Sequence, residues 1–516
     1  MKKLLILLFS IVILFTGCSK NTGNTPSGQE ICPDGYTPLE VEAATGVKVE
    51  GIGVQFDPHY FSQNASRNVR GLDESGWELM SDRVHNMGID KFRVMILPEW
   101  IEPQNDNADT NETDWSKLTI DSNEINSLYR LLDLAEEEHI DVTFVLWGVS
   151  RYYTIASNNF EPMPYFMAEG NDSKNWVVGA KGVLAEEYIE NLIAYLQLLI
   201  EQKGYTCIKE VTPGNEPDWS WQIDGGTLGD AQSYVEMCIK LDERLKAVGL
   251  RDKVELNLVD TTYDRNDQWL QMGVDYLGDI ADVFNTHTYN FGYDTANSAI
   301  RAWERNNSRL AASVGLTHFV GEFGSNQTVG STRQKDIDTF ERGVYIVRLM
   351  NNFFNGGACG MSYWTLNDYY INKTADYGQM MQLGLWRSAK DEYITESYYR
   401  QLEDFQVRDQ YYAFSLMTKH VPIGADVYPI DTFDELTAAT AFCHNGKTVY
   451  SFANAGTEDH KFALKEIDGE FAYYIYAKDS LPTTDALIEQ SAVIKAENGY
   501  IAIDVPANTV VLVKEK

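Results

Sequence analysis

The hydrophobic pattern of this chain repeats one theme, a short apolar run followed by a longer amphipathic stretch. The runs Gly51–Phe56, Lys91–Ile96, Asp141–Leu146, Cys207–Thr212, Val254–Val259, Val283–Thr286, His318–Val320 and Gly360–Tyr363 predict eight buried strands. Gly76–Met87, Glu124–Glu138, Leu184–Gln202, Asp230–Val248 and Thr339–Phe354 predict helices between them. Leu131, Leu132 and Ala135, and likewise Leu192, Tyr195 and Leu199, recur at the spacing of one buried helical face. Strand–helix alternation carried through eight strands predicts an α/β fold, a (β/α)8 barrel, with Tyr412–Thr418 in its last helix.

Beyond residue 420 the texture changes. Thr448–Phe452, Phe471–Ala477, Tyr500–Val505 and Thr509–Val513 are short β-rich runs separated by the turn pairs Asn445-Gly446, Asp468-Gly469 and Asn498-Gly499. They predict a small antiparallel β-sandwich. The expected division is a signal segment at 1–17, a tether at 18–40, the barrel at 41–420 and the sandwich at 421–516. A length of 516 residues accommodates a barrel of about 250 to 400 residues and a smaller module.

Charge narrows the partners. Lys plus Arg number 42 against 76 for Asp plus Glu, a formal net charge of −34. Such a surface repels phosphate backbones, so nucleic acid is not an expected partner, and a neutral polymer fits more easily than a polyanion. At the N-terminus Lys2 and Lys3 precede the apolar run Leu4 to Phe15 and then Thr16-Gly17-Cys18. This is an export signal, too short to span a bilayer once processed. Its step into cysteine resembles the lipobox of bacterial lipoproteins, although Phe15 stands where leucine is usual. That resemblance implies lipidation at Cys18 and a membrane anchor in the cell envelope; an ordinary cleaved signal is the alternative. Cys207, Cys238 and Cys359 lie in apolar segments and read as buried small hydrophobes, and no Cys/His metal spacing occurs.

Two motifs carry the chemistry, Gly214-Asn215-Glu216-Pro217 after the fourth strand and Val320-Gly321-Glu322-Phe323-Gly324 at the seventh. Strand C-termini of a barrel converge on one cleft, so these carboxylates meet there. A pair of carboxyls, one protonated and one ionised, is what cleavage of a glycosidic bond with retention requires, and their shared desolvation can part their titrations. Taken alone, Asn-Glu-Pro is also an ordinary surface turn.

In this order, Asn-Glu after strand 4 and Glu after strand 7 resemble the retaining glycoside hydrolases of clan A. The resemblance spans the barrel and implies that Glu216 is the acid/base and Glu322 the nucleophile. It further implies that Arg93, in Phe92-Arg93-Val94, supports the nucleophile and that Asn215 binds the sugar 2-hydroxyl. His287 and Tyr289, in Thr286-His287-Thr288-Tyr289, match the His-x-Tyr of strand 6, and Trp364 the strand-8 tryptophan beneath the sugar. By itself His287 would read as a satisfied core histidine and Trp364 as a core aromatic. His-x-Tyr and Gly-Glu-Phe-Gly resemble family 5, whereas the closing sandwich resembles families 30 and 39.

Other strand-end residues are candidate sugar contacts: Trp100, Trp147 and Trp219, with Trp221 behind them, as stacking surfaces, and Asp57, His59, Asn367 and Asp368 as hydrogen-bonding groups. Asn105–Asp114 is rich in Asp and Asn but lacks the glycine and distal glutamate of an EF-hand, and neither a P-loop, a dinucleotide glycine pattern nor an HExxH helix occurs. No metal or cofactor is expected. The expectation is a monomeric enzyme acting on a neutral oligo- or polysaccharide; a catalytically silent glycan-binding protein and a transglycosylase are the alternatives.

Overall fold

The computed structural model describes residues 31–57, 73–102, 109, 111–146, 183–218, 231–262, 266–327, 333–374, 377–389, 401–466 and 468–516. Eight parallel strands close into a barrel: β1 (Gly51–Gln55), β2 (Lys91–Ile96), β3 (Asp141–Leu146), β4 (Ile208–Thr212), β5 (Glu255–Thr261), β6 (Val283–Thr288), β7 (Thr317–Phe323) and β8 (Gly360–Tyr363). All eight expected strands are present. β5 and β7 run further than their apolar stretches, which carries Asp260 and Glu322 into the strands themselves.

Helices alternate with the strands, among them α1 (Glu74–Met87), α2 (Pro98–Ile101), α3 (Asn123–Glu138), α4 (Val183–Leu196), α5 (Ala231–Ala247), α6 (Asn266–Leu277), α7 (Asn297–Ala312), α8 (Phe340–Gly356) and α9 (Asp409–His420). Local chemistry sets their ends. Asp73 accepts from Gly76 N at the start of α1, and Ser122 accepts from Ile125 N at the start of α3. Cys207, Cys238 and Cys359 are buried free thiols.

The barrel interior is not wholly apolar. Lys91 on β2 pairs with Glu210 on β4, and Glu210 Oε2 also accepts from Thr143 Oγ1 at 2.6 Å and Asn257 Nδ2 at 2.8 Å. Burial works to raise the Glu210 carboxyl, but the Lys91 ammonium overrides it and holds it below the usual carboxylate range. A buried pair of this kind adds little net stability while intact and is costly to break.

The C-terminal module is a sandwich of a six-stranded and a three-stranded sheet. With β9 (Tyr369–Thr374) and β10 (Tyr377–Met381) forming a hairpin after the barrel, the sandwich strands are β11 (Asp426–Ile430), β12 (Thr437–His444), β13 (Lys447–Asn454), β14 (His460–Lys465), β15 (Glu470–Tyr476), β16 (Ala492–Lys495), β17 (Tyr500–Val505) and β18 (Thr509–Glu515). The larger sheet has the order β11-β12-β13-β18-β15-β16. Asn445-Gly446 and Asn498-Gly499 sit at positive φ throughout (53°, 76°, 52° and 86°), the conformation that a tight two-residue hairpin demands.

The third strand of the smaller sheet comes from the other end of the chain. Thr37–Leu39 pairs in parallel with β14, and Leu39 is buried in the sandwich core with Phe462, Leu464 and Ile503. The expected tether therefore ends before residue 37 and its last residues complete the sandwich, because Leu39 gains more by burial than a polar linker residue could.

The sandwich braces the barrel through α8. Phe340 stacks on Tyr476 with centroids 4.3 Å apart, Tyr476 Oη donates to Phe340 O at 2.7 Å, and Asn355 Nδ2 donates to Ala439 O at 2.8 Å. On its barrel side α8 presents Arg342, which binds Asp336 at 3.0 Å and Tyr363 Oη on β8 at 2.8 Å. One helix thus connects the sandwich to the strand mouth where the carboxylates lie.

Candidate active site

The site is assembled around Arg93, which is buried on β2. Its Nη1 donates to Glu322 Oε1 at 2.7 Å and to Gln55 Oε1 at 2.8 Å; its Nη2 donates to Asn215 Oδ1 and Asp260 Oδ2, both at 2.7 Å. The planar fork of a guanidinium reaches acceptors from four strands at once, which an ammonium cannot do. β1, β5, β7 and the turn after β4 are tied to β2 at this one point.

Both oxygens of Glu322 accept hydrogen bonds, Oε1 from Arg93 and Oε2 from Tyr289 Oη at 2.8 Å. Burial pushes its carboxyl above the usual range, His287 and Arg93 pull it back, and Glu216 adds repulsion. Burial and Glu322 hold Tyr289 well above an ordinary phenol, so its hydroxyl stays a donor. Donors on both oxygens favour the charged form of Glu322 and oppose the effect of its burial.

Glu216 is differently placed. It follows β4 by four residues, has φ 47°, and its backbone N donates to Asp260 O at 3.0 Å. Its Oε1 lies 3.0 Å from His287 Nδ1. Asp218, two residues on, accepts from Thr262 N at 3.0 Å and from Thr262 Oγ1 at 2.5 Å, which fastens the Glu216 turn to the end of β5. One oxygen from each of Glu216 and Glu322 and a ring nitrogen of His287 lie within 4.8 Å of one another. At least one pair of oxygens from the two carboxylates therefore approaches within 4.8 Å.

His287 is wholly buried, with Nε2 2.9 Å from Asp260 Oδ1. Burial favours the neutral ring, but Glu322 and Asp260 override it and push His287 up to about 10. As an imidazolium it donates from both nitrogens, to Glu216 and to Asp260. These three ligand atoms have the spacing of a cation site, and Arg93 already supplies positive charge at Glu322.

Asp57, just past β1, is buried beside this network. Its Oδ1 accepts from Gln55 Nε2 at 2.5 Å and Met95 N at 3.0 Å, and burial pushes its carboxyl up to about 7. Trp364 follows β8 with 9% of its surface exposed, and its N donates to Phe323 O at 3.1 Å, directly after Glu322.

Three expected sugar contacts are placed elsewhere. Trp100 is 3% exposed and packs in the main core, because Pro98 starts a one-turn helix that folds the ring inward. Asp368 is fully buried and held by Arg408 through Nη1 at 2.8 Å and Nη2 at 2.7 Å, so its oxygens are committed to an ion pair. Asn367 donates to Asp368 O at 2.7 Å and lines a small cavity with Gly76, Met80 and Arg83 of α1 and with Trp386. Its neighbours are the outer helix layer, not the carboxylates. His59, Trp147, Trp219, Trp221 and Cys18 lie outside the described residues.

Gln55 and Asp260 belong to the site and escaped the sequence reading. Asp260 carried a signal, an acidic residue at the C-terminal end of a barrel strand. Gln55 carried none, since a glutamine within a strand is read as a gap in the apolar run.

No family model and no curated protein matches the sequence. Solved structures do match in fold. The catalytic domain of a family 30 xylanase C from Talaromyces cellulolyticus superimposes with a TM-score of 0.66 at 14% identity, covering 93% of this chain and 100% of that one. A glycoside hydrolase family 30 subfamily 8 xylanase from Clostridium acetobutylicum gives 0.60 at 14%, covering 92% and 97%. A family 39 enzyme from Xanthomonas axonopodis pv. citri gives 0.55 at 14%, covering 94% and 99%. The chain has the fold of these glycoside hydrolases. The match runs through barrel and sandwich together, so the two-part architecture is shared as a whole.

Proposed function

We propose that the protein is a retaining β-glycoside hydrolase in which Glu322 is the nucleophile and Glu216 the acid/base. The observation that carries this reading is the unequal treatment of two closely spaced carboxylates. Glu322 accepts from Arg93 and Tyr289 on its two oxygens, whereas Glu216 meets His287 on Oε1 and is the more exposed of the two. In the first displacement Glu322 attacks the anomeric carbon while Glu216 gives its proton to the departing glycosidic oxygen. In the second, Glu216 as a carboxylate takes a proton from water, which attacks the glycosyl ester and restores Glu322. In this reading Asn215, which accepts from Arg93, binds the hydroxyl next to the anomeric carbon, and Trp364 stacks under the same sugar.

A neutral β-linked polymer is the substrate class that suits a net charge of −34. Xylan is the first to test, since two of the matched structures are xylanases. The same proposal has the chain exported and lipid-anchored at Cys18 and acting as a monomer; Cys18→Ala should move it from the membrane to the soluble fraction, and retention in the membrane fraction would count against the anchor.

The deciding experiment is hydrolysis of dinitrophenyl β-glycosides followed by proton NMR. Retention at the anomeric carbon, loss of turnover in Glu322→Gln, and azide rescue of Glu216→Ala are expected. Inversion, or turnover surviving in Glu322→Gln, would overturn the assignment.

A further inference from the structure

His287 Nδ1 lies 3.0 Å from Glu216 Oε1 and 3.6 Å from Glu322 Oε2, and one further group reaches the supports of both carboxylates. Asp260, at the end of β5, is fully buried and places Oδ2 2.7 Å from Arg93 Nη2 and Oδ1 2.9 Å from His287 Nε2. Arg93 holds Glu322, His287 holds Glu216, and the Asp260 carbonyl accepts from Glu216 N at 3.0 Å. Three separate contacts of one residue therefore converge on the pair.

The backbone is bent to make this possible. Val259 and Asp260 have φ values of 82° and 47°, and the β5–β6 register shifts between Val259 and Thr261. A β-branched residue at positive φ is a strained conformation that surrounding contacts must hold in place. A bulge here re-aims the next side chain into the barrel mouth. The neighbouring strand leaves room for it: a Cβ on Gly321 would stand 3.2 Å from Asp260 Oδ1 and 2.5 Å from Asn285 Oδ1. Strain on one strand turns this carboxylate inward, and the missing side chain on another leaves room for Asn285 and for it.

We propose that Asp260 is the positioning residue of this site, whose carboxylate fixes Arg93 and His287 together and through them the separate orientations of Glu322 and Glu216. The inference rests on the glycosidase reading above and extends it. Its electrostatic content is that His287 faces Asp260 from β5, Glu216 from the β4 turn, Glu322 from β7 and Arg93 from β2. Asp260 neutralises charge that Arg93 and His287 would otherwise both direct at Glu322. Burial alone would raise the Asp260 carboxyl, but Arg93 and His287 hold it below the usual range, so it remains an anion through the working pH range. Asp260 does not touch substrate. Its effect is exerted through Arg93 and His287.

The test is Asp260→Asn, which keeps the shape and one acceptor but removes the charge, beside Asp260→Glu and Glu216→Ala. With a dinitrophenyl glycoside the leaving group needs no proton, so the burst rate reports nucleophile placement alone. Asp260→Asn should slow that burst at least tenfold with little change in KM, should not be restored by azide, and should recover partly in Asp260→Glu. Glu216→Ala should keep a fast burst. A burst within twofold of the parent, or full azide rescue of Asp260→Asn, would overturn the proposal. A second readout is independent of turnover. In the histidine-labelled protein, with the His287 signal assigned by its loss in His287→Gln, nitrogen NMR should show His287 as an imidazolium up to about pH 10 and titrating at lower pH in Asp260→Asn. An unchanged titration would overturn the positioning role even if no glycoside were hydrolysed; absent hydrolysis with the expected shift would count only against the glycosidase reading.

Discussion

Tyr289 Oη stands 2.8 Å from Oε2 of Glu322, on the oxygen opposite the one that Arg93 holds at 2.7 Å. The two donors come from β2 and from just past β6, so the carboxylate is held by a neighbour of β7 and by a strand further round the barrel. A hydrogen bond to a charged group is worth about 1.5–3 kcal/mol, or about one to two powers of ten in rate if it is lost in the transition state. Tyr289→Phe should therefore lower kcat by about 10- to 100-fold with the fold intact. Stopped-flow rates on an aryl glycoside, with a thermal melt as control, check this; an unchanged kcat would remove Tyr289 from the site.

Deeper in the barrel, Glu210 and Lys91 predict a different kind of loss. Both side chains are nearly inaccessible, at 6% and 4%. Glu210→Gln leaves a buried ammonium without its counter-charge, at a cost of about 3–5 kcal/mol, whereas replacing both partners by apolar residues costs far less. Urea denaturation should show a large fall for Glu210→Gln and substantial recovery in Glu210→Leu combined with Lys91→Met. Equal destabilisation in both would mean that the ion pair is not what the site depends on.

His420, at the end of α9 against Tyr474 of the sandwich, predicts a pH dependence of stability. Burial, with Lys514 and Lys419 nearby, pushes it down to about 4 from an ordinary 6.5. A histidine with a depressed folded value binds fewer protons when native, so its contribution is complete above pH 6.5 and is lost as pH falls toward 4. Asp57 and Asp90, raised to about 7 by burial, slope the other way over the same range. The useful measurement is thus the difference in Tm between the parent and His420→Gln from pH 4 to 7: the variant should lose less stability on acidification. Parallel curves would contradict the buried, neutral ring.

Much of this architecture was legible from local pattern. Each barrel strand is an apolar run long enough to be recognised alone, and Asn445-Gly446 and Asn498-Gly499 announce their hairpins because few other residues tolerate positive φ there. The motif residues Glu216, Glu322, Arg93, His287 and Tyr289 were also nameable, since strand ends in a barrel share one cleft whatever lies between them. Misplacements have local causes. Trp100, Asn367 and Asp368 follow strands as sugar contacts would, but Pro98 turns the first inward and Arg408 claims the third.

By itself the sequence determined the strand count, the order of the two glutamates and the change of texture at the sandwich, all of which depend on residues close together in the chain. Tertiary structure alone decided how the carboxylates differ. Arg93 meets Glu322 across 229 positions, and His287 meets Asp260 across 27 and Glu216 across 71. It also decided that Thr37–Leu39 closes a sheet more than 400 residues away, with Thr37 opposite Phe462. Local pattern reports how each strand is built; only closure of the barrel brings charges from different strands within reach, where desolvation gives each a separate role.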